Sequence, residues 1–150
     1  MRDDLTFLPI ATLSPMLESR RITAEVLTRY CLERAHKAGR ELNCFIALTP
    51  DAALDAAREA DARAATAEGR RGPLDGIPVA RKDNIDVASV PTTNGFGGGP
   101  LRVPDRDAAV TSYLRAAGAV ILGKLAMHEG ALGATNDNPH FGRTHNPHRF

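Results

Sequence analysis

An α/β fold with a mixed, mostly parallel sheet flanked by helices is what the amino-acid sequence predicts, from three observations. Strand-like and helix-like stretches alternate from residue 43 to residue 132. The run Ala119-Val120-Ile121-Leu122 is continuously apolar rather than alternating, the pattern of a strand covered on both faces. No segment repeats, so a solenoid or propeller is excluded. In chain order, Ser14-Pro15 reads as a helix-start pair, with Met16 and Leu17 as its apolar face. A helix is expected over residues 23–38, with Thr23 as N-cap, Glu25 in the first turn and Gly39 as its stop. Residues 43–48 read as a strand ended by Pro50, and residues 51–68 as an alanine-dense helix closed by Gly69. From Gly72 to Pro104 glycine and proline interrupt the chain, with one strand-like run from Ile77 to Val87. Helix returns at Asp107, an N-cap candidate, and runs through Val110, Tyr113, Leu114 and Ala117 to Gly118, where the apolar strand begins. A short helix over 127–132 precedes a turn-rich end, 136–150, which holds three of the five histidines.

Composition narrows the function. The chain has 150 residues, 43% of them hydrophobic, with 19 Lys plus Arg against 18 Asp plus Glu and a net charge of +1. That is one domain or part of one, and the interspersed charges give no basic face for nucleic acid. Cys31 and Cys44 fit neither a disulfide framework nor a CxxC knuckle and read as small buried apolar residues in a reducing compartment. The start, Met1 to Pro9, carries acids where a signal peptide carries bases, and no apolar run is long enough to span a bilayer. The expectation is a cytoplasmic protein with no membrane partner. A domain of this class closes with a helix or strand, whereas this chain stops in a loop at Phe150, so the sequence is expected to be unfinished.

Three motifs invite chemistry. Gly118 to Leu125 matches the phosphate-loop spacing GxxxxGK, but Leu125 stands where Ser or Thr should hold magnesium, and the intervening residues belong in a buried strand. His128-Glu129 begins like a zinc-protease helix, yet Leu132 replaces the second histidine, and His140, His145 and His148 lie in a segment broken by Pro139 and Pro147. No metal site is therefore predicted. Lys82 lies in Gly72-Pro73-Leu74-Asp75-Gly76-Ile77-Pro78-Val79-Ala80-Arg81-Lys82-Asp83-Asn84. Strand alternation puts Ala80, Lys82 and Asn84 on one face. Burial there would lower the lysine pKa towards the range of a general base, but from pattern alone Lys82 reads as a solvated strand end.

That run, with Ile85 and Pro91-Thr92-Thr93, resembles the amidase signature family, whose members carry a GPLxGIPVxVKDN segment and a PTT-like turn. A second block is similar in the same order: Arg115 to Lys124, then Met127-His128-Glu129, Ala131-Leu132-Gly133, Asn138-Pro139-His140-Phe141-Gly142 and Asn146-Pro147. The resemblance implies an enzyme that hydrolyses a carboxamide to a carboxylate and ammonia or an amine, with a Ser, cis-Ser, Lys triad and no metal or cofactor. Lys82 maps onto the family's lysine base, which takes a proton from the bridging serine. The residues 1–150 would then be the N-terminal part of a single amidase domain, helical over 1–71, with the lysine strand, helix, strand and Asn-Pro loop in 72–150. The family's Gly-Gly-Ser-Ser-Gly-Gly-Ser stretch falls after the position of Asn146-Pro147 and does not occur in these residues, so the 150 residues alone are expected to be inactive.

Gly130 stands where many relatives carry phenylalanine beside the acyl pocket, which implies a bulky or aromatic acyl group. The partners implied are a small-molecule amide and, for the full-length enzyme, a second copy in a homodimer. Two other readings stand beside this one. The first is the amidase subunit of a glutamine-dependent aminoacyl-tRNA amidotransferase. The other is a short, catalytically dead product that binds a partner through an uncovered sheet edge.

Overall fold

A computed structural model describes residues 5–148. The acidic start at Asp3-Asp4 and the chain end at Phe150 lie outside the described residues. The elements are α1 (Ile10–Glu18), α2 (Ala24–Leu42), β1 (Phe45–Leu48), α3 (Pro50–Ala64), β2 (Pro78–Lys82), α4 (Ala109–Ala116), β3 (Val120–Leu125), β4 (Asp137–Asn138) and β5 (Gly142–Arg143). One sheet has the order β1-β3-β2, and β4 and β5 form a two-stranded hairpin. β1 runs antiparallel to β3, with Phe45 opposite Leu125 and Leu48 opposite Gly123. Val120 donates its N–H to the Ile77 carbonyl and Asp83 to that of Leu125. These bonds climb both strands in the same direction, so β2 and β3 are parallel and the sheet is mixed.

Local chemistry explains where the boundaries fall. Thr23 caps α2 as expected, its hydroxyl accepting the Val26 N–H at 3.1 Å. The Asp61 carboxylate takes the next two orphan donors, Ala24 N–H at 2.7 Å and Glu25 N–H at 3.0 Å. Gly39 is not the stop: α2 passes through it to Leu42 and ends where Asn43 adopts φ 51°. Gly39 is small for a packing reason, since a Cβ there would meet the Phe45 ring at 3.3 Å. Helix α1 begins at Ile10 after Pro9 and carries Pro15 inside it, so Ser14-Pro15 is no helix start. The burial of Leu13 and Leu17, one turn apart, outweighs the single hydrogen bond that Pro15 removes. Helix α3 ends at Ala64, four residues before the expected end, and Gly69 lies beyond it in the loop. Val110 and Tyr113 of α4 are exposed, and Thr111 is its buried residue. The expected helix over 127–132 is one 3-10 turn, Glu129–Ala131, because Gly130 and Ala131 both take positive φ. Cys31 and Cys44 form no disulfide among the described residues and are half-buried rather than fully buried, and burial raises the Cys44 thiol pKa.

The chain divides into two compact units, each drawn from three stretches: 1–34, 49–79 and 113–122 in the first, 35–48, 80–112 and 123–150 in the second. The first unit packs Leu13, Leu17, Leu27, Ala53, Ala57, Ile77, Val120 and Leu122 into one apolar core. Its loop before β2 is pinned by Asp75, whose carboxylate accepts Arg63 Nη2 at 2.6 Å and the Arg71 N–H at 2.9 Å. Gly118 packs over that carboxylate so closely that a Cβ there would stand 2.1 Å from Oδ1. Burial opposes ionisation of Asp75, but Arg63 and the Arg71 N–H outweigh it and hold the carboxyl below its usual value.

A group whose folded pKa is depressed adds stability above its unfolded pKa of about 3.9, and that stability is lost as pH falls through the folded value. Urea titrations of the protein between pH 6 and pH 3 are therefore expected to show stability falling with pH, and falling less steeply in Asp75→Asn. An identical slope in the variant refutes this account of the acid limb.

Candidate active site

The segment that carries Lys82 lies in the second unit, and its geometry follows from the residue beside it. β2 ends at Lys82. Asp83 then turns the chain, sending its own N–H to the Leu125 carbonyl at 3.1 Å, while the Ile85 N–H closes the turn onto the Lys82 carbonyl at 2.9 Å. The strand expected over 77–87 is therefore only five residues long. Lys82 and Asn84 are exposed and Asp83 is fully buried, but Val79, Ala80 and Arg81 are all half-buried, so the expected two-face alternation is not seen along β2 itself. The Lys82 ammonium has no hydrogen bond or ion pair among the described residues. Arg81 is half-buried, with Nε shielded from solvent and unpartnered.

Sequence reasoning missed the group that organises this turn. Lys124, dismissed above as a phosphate-loop lysine, is fully buried in β3, and its Nζ lies 2.9 Å from Asp83 Oδ1. It also donates to the Thr92 hydroxyl at 2.8 Å and the Pro91 carbonyl at 3.3 Å. The other carboxylate oxygen of Asp83 accepts the Thr93 N–H at 3.0 Å and a short bond from the Thr93 hydroxyl. The KDN and PTT motifs thus meet through one buried charge pair. A lysine inside an otherwise apolar strand was the available signal, because a buried ammonium requires a partner.

The Asn-Pro motif is equally structural. Asn138 is buried, and its amide donates to the Gly95 carbonyl at 2.8 Å and the Met127 carbonyl at 2.9 Å. Its oxygen accepts the N–H groups of His140 at 2.8 Å and Phe141 at 3.0 Å. His140 in turn meets Glu129 at 3.0 Å on the surface. Among the described residues no group of three or more His, Cys, Asp or Glu side chains is placed to hold a metal ion. Among the described residues, too, no helix is long and apolar enough to cross a membrane.

Beside these elements lies an open cleft of about 860 Å³, lined by residues that include Asn84, Thr93, Phe96, Arg102, His140 and Phe141. Neither Lys82 nor Gly130 lines it. Gly130 is half-buried with φ 58°, and a Cβ there would stand 3.2 Å from Phe96 Cζ. Phe96, which lines the cleft, thus packs against Gly130. Arg102 pairs with Asp86 through contacts of 2.5 and 2.9 Å, and this guanidinium lowers the Asp86 pKa.

The KDN strand end, the PTT turn, the Gly-Lys strand and the buried Asn-Pro asparagine thus carry the motifs of the amidase resemblance within one mixed α/β fold. The chain belongs to the amidase signature family: the family profile, described as Amidase, matches residues 26–149. It is 44% identical over 138 residues to the A subunit of the glutamyl-tRNA(Gln) amidotransferase of Aromatoleum aromaticum, covering 92% of this chain and 28% of that protein. It is 43% identical over 145 residues to the same protein of Chloroflexus aurantiacus, covering 96% of this chain and 29% of that one. The chain thus spans under a third of the length of these curated relatives. Among solved structures, the peptide amidase of Stenotrophomonas maltophilia superposes with a TM-score of 0.85 at 34% identity, over 95% of this chain and 30% of that one. A structure from work on a vestigial protein complex and the origins of an s-triazine catabolic enzyme superposes at 0.90 with 33% identity, over 94% and 31%.

Proposed function

We propose that this chain is part of an enzyme that hydrolyses a carboxamide to a carboxylate and ammonia or an amine, with Lys82 as the general base. The observation that carries the reading is Lys82 itself: it occupies the family's KDN position, at the exposed end of β2, on a turn whose next residue is fixed by a buried ion pair. In the reaction Lys82 Nζ, as the free amine, takes a proton from a serine hydroxyl and returns it to the leaving nitrogen. The experiment is ammonia release by the full-length protein from a panel of primary carboxamides: acetamide, propionamide, benzamide, phenylacetamide and glutamine. Hydrolysis of at least one is expected, and silence across the panel sinks the reading.

A second reading is favoured by the 40–44% identity to glutamyl-tRNA(Gln) amidotransferase A subunits. There the same lysine would serve ammonia transfer from glutamine to a tRNA-linked acid. The panel separates the two, since a free-standing amidase acts on simple carboxamides alone, whereas the transferase component needs its partner subunits, glutamine and the charged tRNA.

Gly130 is proposed to widen the acyl side of this site. Phenylalanine there must adopt φ 58° and displace the Phe96 ring, at a cost of about 1–3 kcal/mol. In Gly130→Phe the ratio of kcat/KM for phenylacetamide to that for acetamide is expected to fall roughly tenfold, within the range one pocket substitution commands. An unchanged ratio in a folded variant removes Gly130 from the substrate-binding residues.

A further inference from the structure

We infer that the buried Lys124–Asp83 ion pair is a positioning device for Lys82, fixing the root of that side chain. The inference rests on the reading of Lys82 as the base.

Three observations support it. First, both side chains are fully removed from solvent, where an ion pair is seldom more stable than an apolar pair of the same volume. An ion pair in such a place is better explained by the geometry it enforces than by the stability it adds. Second, its contacts converge on the one residue that follows Lys82. Asp83 is held by Lys124 from β3, by the Thr93 N–H and hydroxyl from the PTT turn, and by its own N–H to Leu125. The Lys82 carbonyl is held in turn by the Ile85 N–H. The backbone of Lys82 is therefore immobilised while its ammonium remains free to engage a reacting group. Third, Lys124 is fully buried and its contacts, the Asp83 carboxylate, the Thr92 hydroxyl and the Pro91 carbonyl, all lie within the protein, so its ammonium serves the turn that follows Lys82.

The test is kcat and KM, determined separately for the best carboxamide of the panel, on the full-length protein and on its Asp83→Asn, Lys124→Met and double variants. In each variant kcat should fall roughly tenfold or more, with KM within about twofold, because root placement acts on the reacting geometry. Thr93→Ser, which keeps the hydroxyl donor, should retain kcat within about threefold. If Lys124→Met fails to fold, the isosteric Asp83→Asn carries the test with Thr93→Ser as its control. A folded Asp83→Asn with unaltered kcat overturns the inference. A lowered melting temperature with both kinetic readouts unmoved does so as well, since the pair is then only structural. Lys82→Ala separates the two levels. If it retains activity, the base reading itself fails; if it is inactive while Asp83→Asn behaves as wild type, only the positioning role fails.

Discussion

Replacing Lys82 with alanine is expected to lower carboxamide hydrolysis at least about 10³-fold while leaving the melting temperature of the protein nearly unchanged. The first half follows from removing the only proton acceptor proposed for the serine chemistry. The second half follows from the surroundings of Lys82, which is exposed and whose ammonium makes no hydrogen bond or ion pair among the described residues. Surface substitutions of that kind change stability by no more than about 0.5 kcal/mol. Arginine at this position should be as inactive as alanine, because a guanidinium does not give up its proton. The measurement is ammonia release together with a thermal melt on the same preparations. Activity within tenfold of the original in Lys82→Ala would remove the residue from the mechanism, whatever the melt shows.

The largest effect on stability is expected at Gly123 in β3, next to Lys124. Its φ is 152°, and a Cβ there would stand 2.1 Å from the Ala47 carbonyl oxygen and 2.9 Å from Leu48 Cα. Both are backbone atoms of β1, so no side-chain rotation relieves the clash. Gly123→Ala should therefore cost about 3 kcal/mol or more, combining an unfavourable backbone conformation with overpacking of paired strands. Chemical denaturation of the two proteins measures this, and a cost below about 1 kcal/mol would show that β1 yields where the geometry says it cannot.

How far the sequence could be read depended on whether the information was local. The N-cap at Thr23 is local, since a hydroxyl three residues before an orphan N–H specifies itself, and it was legible. Which of Lys82 and Asp83 is buried was not legible from alternation, because β2 ends at Lys82 and the turn after it, held from β3 and the PTT segment, decides the burial of Asp83. The stop at Gly39 was misread because that glycine answers to Phe45, a contact set by the fold rather than by helix termination. The GPLDGIPVARKDN motif read as one block with Lys82 as its purpose. Its first half serves packing instead: Asp75 is tied to Arg63, and Gly76 lies so close to Ala24 that a Cβ would stand 2.8 Å from that methyl. Lys124 was lost among motif spacings, because nothing within five residues of it announces Asp83, whose distance along the chain is 41 positions.

The interleaving of the two units bears on synthesis. The first unit closes only when residues 113–122 join 1–34 and 49–79, so a nascent chain cannot complete it before Leu122 has emerged. At 5–20 residues per second, roughly 2–9 s pass between the emergence of Val79 and that of Leu122. During that interval α3 can form from its alanines alone, but Leu27, Ala57 and Ile77 lack the Val120 and Leu122 side chains that share their core. The ribosome thus presents a helical intermediate with an uncovered apolar face, the kind of species that a chaperone at the exit tunnel would hold.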